Sequence, residues 1–135
     1  QVEGVGQVPV RSPRAGILQM GEAFYSYAEI LPPVALQALH VSTLVHEARH
    51  SDGSGANIAF LHVVCEAGEM KGKLACDKRS NGPYNIDALI TKSYLRTCTN
   101  CSAREKQNLS LLVLDSASRV NPSAYEVDDS PEGIR

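Results

Sequence analysis

No stretch of this chain approaches the ~18 consecutive apolar residues that a membrane-spanning helix requires. The longest apolar runs, at residues 58–65 and 109–114, are far too short, so no membrane span is expected. A basic surplus is missing too: 13 Lys and Arg stand against 15 Asp and Glu, a formal net charge of −2. That balance excludes the usual basic nucleic-acid module, and no nucleic-acid partner is expected. The chain also has no internal repeat and no low-complexity tract.

What is there fits one ordinary domain. The 135 residues are 43% hydrophobic and 21% charged, a composition typical of a globular protein with a single core of modest size. Charge is unevenly spread. Eight Lys or Arg lie between Lys71 and Lys106 against Asp77, Asp87 and Glu105, while Glu126, Asp128, Asp129 and Glu132 crowd the end. Such blocks read first as solvated surface.

Four cysteines, Cys65, Cys76, Cys98 and Cys101, are even in number and mostly set among polar residues. Two local bridges, Cys65–Cys76 and Cys98–Cys101, are the simplest of the three possible pairings. The chain begins at Gln1 rather than Met, as it would after removal of a leader. Together these features lead to the expectation of a secreted or periplasmic protein, since bridges persist in oxidising compartments.

The pattern along the chain divides it into an extended N-terminal arm (1–14), one domain (15–121) and a frayed acidic tail (122–135). Residues 16–20 and 23–28 read as a strand pair broken at Gly21. Pro32 and Pro33 mark a boundary, after which Val34, Ala38, Val41, Val45 and Ala48 form an apolar stripe and predict a helix over residues 34–51. The Gly-containing stretch 52–55 stops it. Residues 58–65 are a short apolar run, either a buried strand or further helix, and 66–83 reads as a long bridged loop. Helices follow at 86–96 and 102–120. Ser102 and Glu105 have capping-box spacing at the start of the second, and Asn121-Pro122 ends it. The fold class expected is α+β, mainly helical with a small sheet.

One segment carries chemistry: Val45-His46-Glu47-Ala48-Arg49-His50, an HExxH pattern inside the predicted helix. Histidines four apart share one helix face, so both imidazoles can reach one ion at about 2.0–2.1 Å. Glu47 is offset to the flank, where it can take a proton from a water activated by that ion.

These residues resemble the motif helix of the zincin metallopeptidases. The likeness covers roughly a tenth of the chain and implies a zinc cofactor (Zn2+) bound by His46 and His50, with Glu47 as the catalytic general base. It also implies a zincin-like fold, in which the motif helix lies beneath a small sheet whose edge strand receives a peptide or protein substrate. Thr43-Leu44-Val45 would pack that helix on the sheet. The metzincin extension is missing: Gly53 occupies the glycine position, but Ala56 stands where a third histidine belongs.

A catalytic zinc needs a third protein ligand. Glu69 is the first candidate, because the spacing HExxH-x18-E resembles that of one aminopeptidase group and a Cys65–Cys76 bridge would fix its loop. Glu105 and His62 are alternatives, as is Asp52, which fits better as an acceptor behind a ligand imidazole. His62 reads more simply as a histidine on an apolar strand face. His40 is expected to pack, Arg49 to be solvated, and Tyr84 to pack at a turn or to donate to an oxyanion. Cys98-Thr99-Asn100-Cys101 is a CxxC before a helix. A structural bridge explains it better than a disulfide oxidoreductase site, which expects a strand before the motif. The reading that joins these parts is a zinc metallopeptidase, with a non-catalytic zinc-binding domain as the alternative.

Overall fold

Two prolines set the start of the longest helix. In the computed structural model, residues 20–50 and 60–125 are described. The arm 1–14, nearly all of the strand expected at 16–20, Asp52, Gly53 and Ala56, and the tail beyond residue 125 lie outside them. The described elements run α1 (Ala23–Ser26), a 3-10 turn (Tyr27–Glu29), α2 (Pro33–His50), β1 (His62–Val64), β2 (Leu74–Arg79), α3 (Pro83–Thr97), α4 (Ala103–Ser118) and β3 (Val120–Tyr125). The architecture is α+β, with helices predominating over one three-stranded sheet. Among the described residues no helix is long and apolar enough to cross a membrane.

Residues 23–28, expected as a strand, are helical turns. The Ile30 and Leu31 N–H groups both bond to the Tyr27 carbonyl, and the Phe24 ring stacks on His40 of α2 at 4.3 Å. Aromatic preference for strands acts through neighbouring strands, and the described sheet contains no partner for this segment. His40 packs as expected, with its Nε2 at 2.9 Å from the Phe24 carbonyl oxygen.

In α2 the Pro32 carbonyl accepts from Leu36 N–H at 2.9 Å, with Pro33 in the first turn, where its missing N–H costs nothing. The buried face meets the expected stripe only at Ala38, with Val34 packed beside the core. It runs Ala35, Ala38, Ser42 and His46, while Leu44 and Val45 are 41% and 37% exposed. The reason is close helix packing: α2 lies mainly on α3, and also touches α4. Small side chains let the helices approach, and Leu109 of α4 is fully buried against Ala35 and Ala38. The helix therefore rests on other helices here, not on a sheet through Leu44 and Val45.

Residues 66–83 are not one loop but contain β2. Gly68 and Gly72, at φ of +77° and +84°, adopt the left-handed conformation that lets the chain reverse after β1. β1 and β2 then pair antiparallel, with His62 opposite Asp77, Val63 opposite Cys76 and Val64 opposite Leu74. The Cys65–Cys76 bridge spans this hairpin.

β2 is the middle strand. β3 pairs parallel to it on the far side, where the chain was expected to fray. Asp77 N–H donates to the Arg119 carbonyl at 2.7 Å and Ser80 N–H to the Tyr125 carbonyl at 2.9 Å. The buried Asn121 side chain accepts from Glu66 N–H at 3.0 Å and donates to the Val64 carbonyl at 2.9 Å. Pro122 is tolerated because β3 is an edge strand whose register shifts between the two pairing points.

α3 and α4 bear out the two expected helices, and the Cys98–Cys101 bridge closes the corner between them. Ser102 Oγ accepts from Glu105 N–H at 3.1 Å, and Glu105 Oε2 accepts from Ser102 N–H at 2.7 Å, a complete capping box.

The N-terminus of α3 is capped from outside. Gly82 sits at the cap and has no side chain to offer, and Pro83 has no N–H. The next two amides, Tyr84 and Asn85, donate to Asp77 Oδ2 of β2 at 2.8 and 3.2 Å. A Cβ at position 82 would lie 2.6 Å from that oxygen and 3.0 Å from the Arg79 carbonyl. Gly82→Ala should therefore cost about 1–3 kcal/mol, the usual range for overpacking. Gly21→Ala, with nothing within 4 Å, should not repeat that loss. Urea denaturation of both variants checks this, and equal midpoints would contradict it.

Candidate metal centre

The buried face of α2 ends in a histidine. His46 continues the row of Ala35, Ala38 and Ser42 into the interior, 6% exposed, and His50 follows one turn later. The third member comes from β1. His62 projects toward both, and one nitrogen from each of the three rings lies within 4.8 Å of the others. His46, His50 and His62 thus form a group able to hold a metal ion. Among the described residues it is the group of that kind.

Each ring is held from behind. His46 Nδ1 faces Asp87 Oδ2 of α3 at 3.6 Å, and His62 Nδ1 faces Asp77 Oδ1 of β2 at 3.4 Å. His50 Nδ1 bonds the Phe60 carbonyl oxygen. An oxygen behind Nδ1 favours a hydrogen there, by a bond at His50 and by closer approach at His46 and His62, and leaves the Nε2 lone pair pointing away from it. The Nε2 atoms of His46 and His62 meet at 3.2 Å. Two bare ring nitrogens at that distance repel unless a proton or a cation lies between them. The donor set suits a cation: neutral imidazole is a ligand for zinc and for several other transition metals.

The carboxylates have further anchors. Asp87 Oδ2 also accepts from Ser116 Oγ of α4 at 3.3 Å, and Asp77, 1% exposed, caps α3 with its other oxygen. Tyr84 closes one side. Its ring stacks on His62 at 4.6 Å and meets His46 edge-on at 4.5 Å. Its hydroxyl accepts from Arg119 Nη1 at 3.0 Å, and burial pushes its pKa above the usual value, keeping it a phenol.

Of the residues singled out from the sequence, His46, His50 and His62 come together, with Glu47 half-buried beside His46 on α2. Glu69 is not part of the group; it lies exposed in the turn between β1 and β2. Glu105 is engaged in its capping box on α4. Arg49 is not simply solvated: its Nε donates to the Asn81 carbonyl at 3.1 Å, and its guanidinium lies 3.9 Å from the centre of the Phe60 ring. Asp77 and Asp87 carried no sequence motif and were not foreseen.

No protein-family model matches the chain, and neither a curated protein nor a solved structure matches it. The likeness to zincins thus rests on the HEARH residues alone.

Burial, reinforced by the neighbouring His62 and His46, lowers the pKa of His50 from 6.5 to about 4 despite its bond to Phe60. Between those values the unfolded chain takes up a proton at His50 that the folded, metal-free protein refuses. The stabilising contribution is therefore whole above pH 6.5 and falls as pH drops towards 4. His50→Gln removes this titration, so the stability difference between parent and variant, both treated with chelator, should change across that window. A difference independent of pH would refute the assignment.

Proposed function

We propose that this domain is a zinc-dependent hydrolase acting on peptide bonds. One observation carries the reading: three imidazole nitrogens converge from α2 and β1, with Glu47 next to one of their owners on the same helix. Three protein ligands that leave a coordination position open are the mark of catalytic rather than structural zinc.

When bound, zinc supplies Lewis acidity and renders a water acidic enough to lose a proton near neutral pH. His46, His50 and His62 would hold the ion, and the oxygens of Asp87, Phe60 and Asp77 behind them would favour the ligating tautomer of each ring. Glu47 lies about 60° round α2 from His50. From there it takes the proton of the attacking water and returns it to the leaving amine. The Tyr84 ring keeps solvent from one side of the imidazoles.

The choice of peptide bonds follows the zincin likeness of the HEARH segment. Two disulfides support an oxidising setting, secreted or periplasmic. The oxidoreductase alternative loses support, because Cys98 and Cys101 follow a helix rather than a strand and join α3 to α4 as a staple.

The purified protein should carry about one zinc per chain, and His46→Ala, His50→Ala or His62→Ala should each abolish that loading. Glu69→Ala should load like the parent. Elemental analysis decides both points, and a metal-free parent after incubation with zinc would sink the reading. Glu47→Gln should keep its zinc while cleavage of a peptide library falls by at least the ~100-fold typical of a lost general base. Undiminished cleavage by that variant would remove the peptidase assignment.

A further inference from the structure

Asp77 is held in three ways at once. Its backbone N–H donates to the carbonyl of Arg119, just before β3, at 2.7 Å, its Oδ2 accepts from the first free amides of α3, and its Oδ1 faces His62 Nδ1 at 3.4 Å. That Oδ1 atom is buried and makes no hydrogen bond within normal range. The matching nitrogen, His62 Nδ1, is in the same position. The two face each other just beyond hydrogen-bond distance, in a place where leaving either alone is costly.

We infer that Asp77 is the positioning residue of the metal centre, coupling the ligand His62 to the N-terminus of α3, so that metal loading and the order of that first helical turn rise together. The inference rests on the metal-centre reading above. Its chemistry is one of tautomers. A carboxylate is an acceptor at both oxygens, so it serves the α3 amides and the His62 Nδ1–H together. An ion drawing on the Nε2 lone pair makes Nδ1–H a stronger donor, which shortens the contact to Oδ1 and steadies the carboxylate against the Tyr84 and Asn85 amides.

Asn at this position cannot do both. Its one oxygen is demanded by two α3 amides, which leaves its NH2 group facing His62 Nδ1. A donor there forces the hydrogen of His62 onto Nε2, and an Nε2–H nitrogen does not bind metal. Asp87 provides the contrast. Ser116 and His46 both address the same atom, Oδ2, so an Asn oxygen in its place satisfies both while the NH2 group turns the other way. Two carboxylates in similar positions behind two ligands therefore differ in what an amide does to them.

Zinc affinity measured by chelator competition on the full chain tests this. Asp77→Asn should bind zinc about 10–100-fold more weakly, and clearly more weakly than Asp87→Asn, which loses the same unit of charge but keeps an acceptor for His46. Equal losses in the two variants would contradict the inference. A contribution of Asp77 to folding alone would not single out metal affinity, so both variants are first compared by circular dichroism without metal. Where Asp77→Asn fails to fold, amide hydrogen exchange in the parent decides: zinc should slow exchange at Tyr84 and Asn85. Equal zinc affinity in a folded Asp77→Asn, or amides at 84 and 85 that ignore zinc, overturns the inference and leaves the metal centre standing. A parent that takes up no zinc removes the metal-centre reading and this inference with it.

Discussion

The carboxylate of Asp77 is the constraint on which the rest of the candidate site depends. A buried carboxylate is tolerated only when its oxygens are met by hydrogen or positive charge, and here every approach comes from a different element. β3 fixes its backbone, α3 its Oδ2, and β1 presents His62 to its Oδ1. Gly82 is the concession that allows it, since any larger residue would collide with the carboxylate. The usual solution for a helix start is a local Ser, Thr, Asp or Asn at the cap. This chain uses a residue five positions earlier, on a strand. The helix start and the histidine strand thereby share one anchor.

That arrangement bears on how β1, only three residues long, can deliver a ligand at all. A short edge strand is a poor platform by itself. The far end of β1 is tied twice, by the Cys65–Cys76 bridge and by Asn121, whose side chain serves Val64 and Glu66 together. A bridge closing a short loop is worth about 2–4 kcal/mol through the unfolded chain. Ser123 adds its N–H to Glu66 Oε2 at 3.1 Å. The near end is held by Phe60, whose carbonyl receives His50 and whose ring lies under Arg49 and Arg79. His62 is fixed from both sides, as a ligand must be to hold its geometry.

The helical framework was readable from local signals. Pro32-Pro33, the Ser102 and Glu105 pair, and the spacing of the cysteines each act over a few residues, and each appears where expected. Of the strands, β1 lies in the apolar run 58–65 that allows a strand or a helix, but β2 and β3 are not legible, because their causes are distant in sequence. β3 exists because Asp77 and Ser80 offer it backbone partners, and nothing within Asn121-Pro122 announces that. The buried side of α2 was misjudged because valines looked like the core, whereas close helix packing selects alanine and serine. His62 looked like a core histidine on an apolar strand face. The bridge alone does not point to it: pairing Cys65 with Cys76 and extending outward sets His62 opposite Arg79, and only the actual register, with Val63 opposite Cys76, brings His62 opposite Asp77. The Cys65–Cys76 bridge appears as expected, but the irregularity between Val63 and Val64 that sets the register has no local signal.

A third histidine in place of a third-ligand glutamate changes the electrostatics of the centre. Three neutral imidazoles leave the full charge of a divalent ion on the site, where a His-His-Glu set would cancel one unit. Compensating charge stands one layer out, in Asp77 and Asp87, whose oxygens face the imidazoles of His62 and His46. Charge placed there would offset that of an ion held by the three rings while leaving its Lewis acidity undiminished by a direct carboxylate bond. Arg119 stands behind Tyr84, with its guanidinium 5.0 Å from the ring centre and paired to Asp115. Tyr84 thus contacts both that guanidinium and the ring of His62. Placed directly against the ligands, that guanidinium would oppose a second positive charge. Bonded to the phenol, it orients Tyr84, while Asp87 and Asp77 are the carboxylates that face His46 and His62.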